Sequence, residues 1–177
     1  MFNDFFIALI QPLHNIPFMD SVMFFITTLA DPLSLIVFSI FFVGYLVKKR
    51  HYIYAKVSAA AILIGLTSFY IIKNLVPVAR PLNPMVSVFG NSFPSGHTTM
   101  TTIFCCLVVL WLASRGIWRN EWKEHKIMCL GSFVIILLVG LSRIYLRAHW
   151  PIDIIGGIVT GLVSVLSAMV VFHPIKK

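Results

Sequence analysis

The sequence predicts an all-α protein, a polytopic transmembrane helical bundle of five to six spans. Three observations predict it. Of 177 residues, 59% are hydrophobic and 11% charged, against about 25% charged in a typical soluble domain. The apolar residues fall into five runs near the ~20 residues that a crossing helix needs. The basic residues collect in short clusters between those runs, the pattern of topology signals. The net charge of +8 therefore does not point to nucleic acid.

The segment FNDFFIALIQPLHNIPFMDSVMFFITTLA, within residues 1–30, is broken by Pro12 and Pro17. It reads as interfacial helices or a broken crossing. No Lys or Arg precedes its apolar run, so it lacks the basic start of a signal peptide. The expected spans are Pro32–Val47, Ile53–Ile72, Thr98–Ala113, Ile127–Leu141 and Ile154–Phe172. Asp31-Pro32 reads as an N-cap followed by proline at the first helical position. Gly157 and Gly161 have the GxxxG spacing that permits close helix packing, by itself a weak signal. Cys105, Cys106 and Cys129 lack metal-type spacing and read as packing residues. There is no internal repeat or linker, so residues 1–177 form a single membrane-embedded domain.

With five spans, one side receives Lys48, Lys49, Arg50, Lys56, Arg115, Arg119, Lys123, Lys126, Lys176 and Lys177. The positive-inside bias makes that side cytoplasmic, along with the C-terminus. The opposite side keeps Lys73, Arg80, Arg143 and Arg147, where topology disfavours them. Arg147 has no motif logic and reads as an interfacial anchor. The others lie in or beside three stretches of that face, KNLVPVARP, NSFPSGH and SRIYLRAHWPID, with Asp153 the one local carboxylate. Such a positive excess is a site for an anion. Arginine forks match phosphate oxygens, and lysine adds a point charge. Ser95 is placed to cap the helix that follows, Gly96 permits close backbone approach, and first-turn N–H groups attract phosphate.

His97 and His149 supply chemistry. Pro151 marks a helix start, so Asp153 in the first turn can reach back to His149. A carboxylate on one ring nitrogen fixes the tautomer and makes the other nitrogen more basic. His97 is placed to protonate a leaving oxygen. A two-histidine, one-aspartate zinc site is the competing chemistry, disfavoured because surrounding cations repel a metal. No cofactor is expected.

These residues carry a family likeness. Lys73-x6-Arg80-Pro81, Pro94-Ser95-Gly96-His97 and Ser142-Arg143-x5-His149-x3-Asp153 resemble the three-part signature of the type 2 phosphatidic acid phosphatase (PAP2) superfamily. That family also includes soluble acid phosphatases and vanadium haloperoxidases. The motifs cover about 80 residues, and every signature position is filled. The resemblance implies that His149 attacks phosphorus to give a phosphohistidine. Asp153 would orient it, and His97 would act as general acid. Lys73, Arg80 and Arg143, with Ser95 and the Gly96 amide, would hold the phosphoryl oxygens without a metal.

The expected substrate is a lipid phosphate or pyrophosphate whose tail stays in the bilayer, with undecaprenyl pyrophosphate first. Phosphatidylglycerophosphate, phosphatidic acid and lipid A phosphates are the alternatives. The expected location is the inner (plasma) membrane with the site facing outside, and no obligate protein partner is evident. Two rivals remain: a lipid phosphotransferase, and a transporter that binds without releasing phosphate.

Overall fold

The computed structural model describes residues 16–114 and 121–172; the expectation for the N-terminal segment lies outside them up to residue 15. Every regular element within them is a helix: α1 (Pro17–Leu29), α2 (Pro32–Lys48), α3 (Tyr52–Leu75), α4 (Gly96–Ser114), α5 (Glu121–Tyr145) and α6 (Pro151–Phe172). The fold is all-α, as the apolar runs predict.

Local sequence chemistry sets the starts. α1, α2 and α6 each open on a proline, whose fixed φ suits the first helical position and whose missing N–H costs nothing there. Asp31 caps α2, its Oδ2 accepting from the amides of Leu33 (3.1 Å) and Ser34 (3.2 Å). α5 begins at Glu121, well before the expected Ile127, so Lys123 and Lys126 sit on a helix and not in a connection. α3 begins at Tyr52, and Lys56 lies on it as the expected span Ile53–Ile72 implies.

α3, α4, α5 and α6 are each long and apolar enough to cross a bilayer. The first expected span is different. α2 alone has 17 residues, short of the ~20 a crossing needs. α1 and α2 together meet the requirement as a pair bent by 42°. The chain thus has four continuous candidate spans, or five when that pair counts as one. Pro32 and a capping aspartate explain the break: Asp31 satisfies the new helix's first amides instead of continuing the old ladder.

The outside of the bundle is apolar. Phe18, Phe41, Leu63 and Val170 lie open to the surroundings, the distribution expected for a lipid-facing surface and not for water. The interior is built from small and hydroxyl residues among aliphatic ones, including Ser39, Ser58, Ala61, Thr98, Thr102 and Ser164. Small residues let helices approach closely where lipid gives no hydrophobic drive to associate. Several buried hydroxyls donate to the carbonyl four residues back: Thr99 to Ser95 (2.8 Å), Thr102 to Thr98 (2.8 Å) and Ser164 to Thr160 (2.6 Å). These three hydroxyls are thereby satisfied within their own helices.

α4 and α6 run side by side in the same direction. A Cβ on Gly157 would meet the Ser95 carbonyl oxygen at 2.7 Å, and one on Gly161 would meet Thr102 Cβ at 2.8 Å. The GxxxG spacing therefore marks a real close contact. Gly65 of α3 faces Ile103 of α4 and Ser164 of α6 in the same seam. The result brings the C-terminal ends of α3 and α5 beside the N-terminal ends of α4 and α6.

Candidate active site

That shared end carries the three predicted stretches. α3 delivers Lys73 on its last turn, 5.0 Å from the Phe69 ring centroid. Its Nζ reaches the Pro94 carbonyl at 3.5 Å. The same Phe69 ring lies 3.2 Å from where a Gly96 Cβ would stand. One aromatic side chain thus floors both the lysine and the start of α4.

Residues 76–95 fold over the α5–α6 turn and are pinned to it. The Met85 amide donates to the Leu146 carbonyl (3.0 Å), and Trp150 Nε1 to the Ala79 carbonyl (2.7 Å). Arg80 supplies the strongest clamp. Nε donates to the Gly90 carbonyl (3.0 Å), and Nη2 to the carbonyls of Phe89 (2.9 Å) and Asn91 (3.1 Å). Nη1 donates to the Ala148 carbonyl (2.7 Å) and lies 3.5 Å from His149 Nε2. The predicted phosphate ligand is therefore also the staple that holds its own loop, a role its sequence position does not reveal.

Ser95 is fully buried and caps α4, with the Thr98 amide 3.4 Å from its Oγ. The first intrahelical bond runs from the Thr99 amide to the Ser95 carbonyl. The amides of Gly96 and His97 precede that bond and keep the unpaired N–H character of a first turn. His97, half-buried on α4, makes no side-chain hydrogen bond to the His149–Asp153 pair among the described residues.

The centre is Asp153, with no exposed surface. It stands three residues after Trp150, and its Oδ2 accepts from the Trp150 amide at 2.8 Å, half of a capping box at the head of α6. The same oxygen lies 3.2 Å from His149 Nδ1 and accepts from Ser92 Oγ at 2.7 Å. Oδ2 already serves as acceptor twice, so Nδ1 carries the proton, and Nε2 keeps its lone pair toward Arg80. Oδ1 is buried with no partner among the described residues.

His149 is held from behind as well. The Arg143 carbonyl accepts from the amides of Ala148 (3.0 Å) and His149 (3.3 Å), and Arg147 turns the chain with φ of 51°. Burial pushes the His149 imidazole down to about 4, and Arg80 and Arg143 push the same way against the Asp153 bond. The ring is therefore neutral near pH 7, the form that can act as a nucleophile.

Lys73, Arg80, Ser95, Gly96, His97, Arg143, His149 and Asp153 thus occupy one end of the bundle, arriving from four helices and two connections. Sequence reasoning passed over Ser92. It lies within the NSFPSGH stretch, but a serine between loop residues carries no charge or spacing that announces a buried partner.

The fold and this clustered end define a helical membrane protein with a cation-rich polar cluster at its helix termini. The chain belongs to the PAP2 superfamily, whose model matches residues 59–177. It is 28% identical over 157 residues to the undecaprenyl-diphosphatase BcrC of Bacillus subtilis (strain 168), covering 85% of this chain and 73% of that one. It is 31% identical over 93 residues to phosphatidylglycerophosphatase B of the same organism, covering 52% and 45%. Against YbjG of Escherichia coli (strain K12) it is 27% identical over 121 residues, which is 65% of this chain. The chain spans 55% of YbjG's length, about half, as with several of these relatives. The crystal structure of a transmembrane PAP2-type phosphatidylglycerolphosphate phosphatase from Bacillus subtilis superposes with a TM-score of 0.79 at 24% identity, covering 97% of this chain and 86% of that one. That likeness shows a common fold.

Proposed function

We propose that this chain is a membrane lipid phosphatase that hydrolyses a lipid phosphate or pyrophosphate through a phosphohistidine, with undecaprenyl pyrophosphate as substrate. The observation that carries the reading is His149: buried, neutral, tied to Asp153 through Nδ1, with Nε2 turned toward Arg80.

In the proposed reaction His149 Nε2 attacks phosphorus, and the bond from phosphorus to the leaving oxygen breaks. His97 gives a proton to that oxygen, and the lipid alcohol or lipid phosphate departs. A water then attacks the phosphohistidine, loses a proton to His97, and releases inorganic phosphate with the His149 lone pair restored. Lys73, Arg80 and Arg143, with the Gly96 amide and Ser95, balance the charge on the phosphoryl oxygens. Phosphoryl transfer asks chiefly for such positioning and charge stabilisation. Asp153 keeps the tautomer and balances the cationic ring once phosphorus is attached.

The substrate class rests on two supports. The polar cluster lies where apolar helices end, which supports a substrate whose headgroup sits at the interface. Relatives named undecaprenyl-diphosphatase include BcrC and, at 32% identity over 124 residues, a protein of Sulfolobus acidocaldarius. The likeness to phosphatidylglycerophosphatase B supports a second reading, a phosphatidylglycerophosphate phosphatase. The charge distribution along the chain supports a plasma-membrane location with the site outside and the C-terminus in the cytoplasm.

The test is phosphate release from a panel of these lipids in detergent, with chelator present. Release should survive the chelator, orthovanadate should inhibit it, and His149→Ala should abolish turnover while the protein still folds. Near-normal turnover by that variant would falsify the nucleophile assignment.

A further inference from the structure

We propose that Thr27, on α1, is a positioning residue for the phosphoryl site: it orients the buried Arg143 guanidinium without neutralising it. The inference rests on the phosphatase reading above and extends the site beyond the three motifs.

Arg143 is 5% exposed. Its Nη1 donates to Thr27 Oγ1 at 2.6 Å, a bond buried at both ends. Its Nε is buried with no partner among the described residues. No carboxylate is in ion-pair contact with it there either; the ion pair found is His149 with Asp153. A cation this deep ordinarily needs an opposite charge, because desolvation is costly and a neutral partner repays little of it. A hydroxyl does something else. It fixes one nitrogen of a planar fork, and so fixes the direction of the remaining N–H groups, while leaving the positive charge uncancelled for an incoming anion. A carboxylate at the same place would satisfy the guanidinium and compete with phosphate for it.

The helix that carries Thr27 is tethered a second time. Tyr145 Oη donates to Asp20 Oδ1 at 2.7 Å. Asp20 and Thr27 are two turns apart on α1, so one face of this helix meets the site end of α5 twice. The family match begins at residue 59. A motif cation is thus aimed by a residue outside the stretch that the family model matches.

The test uses the full chain in detergent, with orthovanadate as the anion probe beside the kcat and KM of phosphate release. Thr27→Val keeps the shape and removes the acceptor. It should weaken orthovanadate inhibition about tenfold or more and raise KM, tenfold being ~1.4 kcal/mol. Thr27→Ser keeps the oxygen and should stay near wild type. Thr27→Asp should also weaken inhibition while the melting temperature holds or rises, because the cation is then paired internally. Tyr145→Phe breaks the other tether and should lower the melting temperature without moving orthovanadate inhibition. The assignment is overturned if the Val and Asp variants are inhibited like wild type, or if Tyr145→Phe weakens inhibition as much as Thr27→Val. Wild-type protein that neither releases phosphate nor responds to orthovanadate would overturn the phosphatase reading and this inference with it. Wild-type turnover with an unaffected Thr27→Val overturns this inference alone.

Discussion

Ser92 Oγ donates to Asp153 Oδ2 at 2.7 Å, across 61 residues of chain, with both side chains fully buried. This bond ties the loop before α4 to the head of α6. It also fixes the oxygen that faces His149. Ser92→Ala should leave Asp153 with one donor fewer in a site that water does not easily refill. A hydrogen bond to a charged group contributes about 1.5–3 kcal/mol, so kcat should fall roughly tenfold to a hundredfold with KM little changed. Steady-state phosphate release measures both. Wild-type kcat in Ser92→Ala would mean that Asp153 holds its position unaided.

Arg80 should not tolerate lysine. Its guanidinium meets the carbonyls of Phe89, Gly90, Asn91 and Ala148 at once. An ammonium has three donors from a single point and cannot span that set. Arg80→Lys should lower activity by about a hundredfold or more. It should also speed proteolysis and hydrogen exchange in residues 76–95 while the helices stay protected. Equal exchange in both proteins would show that the loop needs no staple.

The histidine predicts a direction for stability against pH. His149 is held at about 4 in the fold, against about 6.5 in an unfolded chain. Between those values the unfolded chain binds a proton that the folded one refuses. Stability should therefore fall as pH drops from about 6.5 to 4, and this contribution should be constant above that window. Thermal unfolding in detergent at several pH values checks it. His149→Asn should flatten the slope within the window.

The glycines of α6 should divide into two effects. An alanine at Gly157 would press on the Ser95 carbonyl at 2.7 Å, and one at Gly161 on Thr102 Cβ at 2.8 Å. Overpacking of this kind costs about 1–3 kcal/mol. Both variants should melt lower, and Gly157→Ala should also lose activity because it displaces the cap of α4. Gly44 and Gly131 have nothing within 4 Å of where an added Cβ would stand. Alanine there should leave melting unchanged or raise it slightly.

Charged residues were legible in the sequence because cations in an apolar chain need a reason to be there. Lys73, Arg80, Arg143 and Asp153 declared themselves in that way, and Pro151 placed Asp153 one turn into its helix. Neutral hydroxyls gave no such signal. Ser92 and Thr27 are decided by what stands opposite them, which is tertiary information. The second role of Arg80 was hidden for the same reason, since its partners are backbone carbonyls that every residue owns. Asp31-Pro32 located the start of α2, but its bend against α1 depends on packing against the rest of the bundle. Gly157 and Gly161 were ambiguous by spacing and are settled by the backbone that approaches them.

The parallel course of α4 and α6 has one more consequence. Two aligned helices aim the positive ends of their peptide dipoles at a single spot, and backbone carries that field. No side-chain exchange can delete it. Variants that abolish turnover should therefore still attract inorganic phosphate, leaving capture of the anion and its chemistry as separately measurable properties of one end of the bundle.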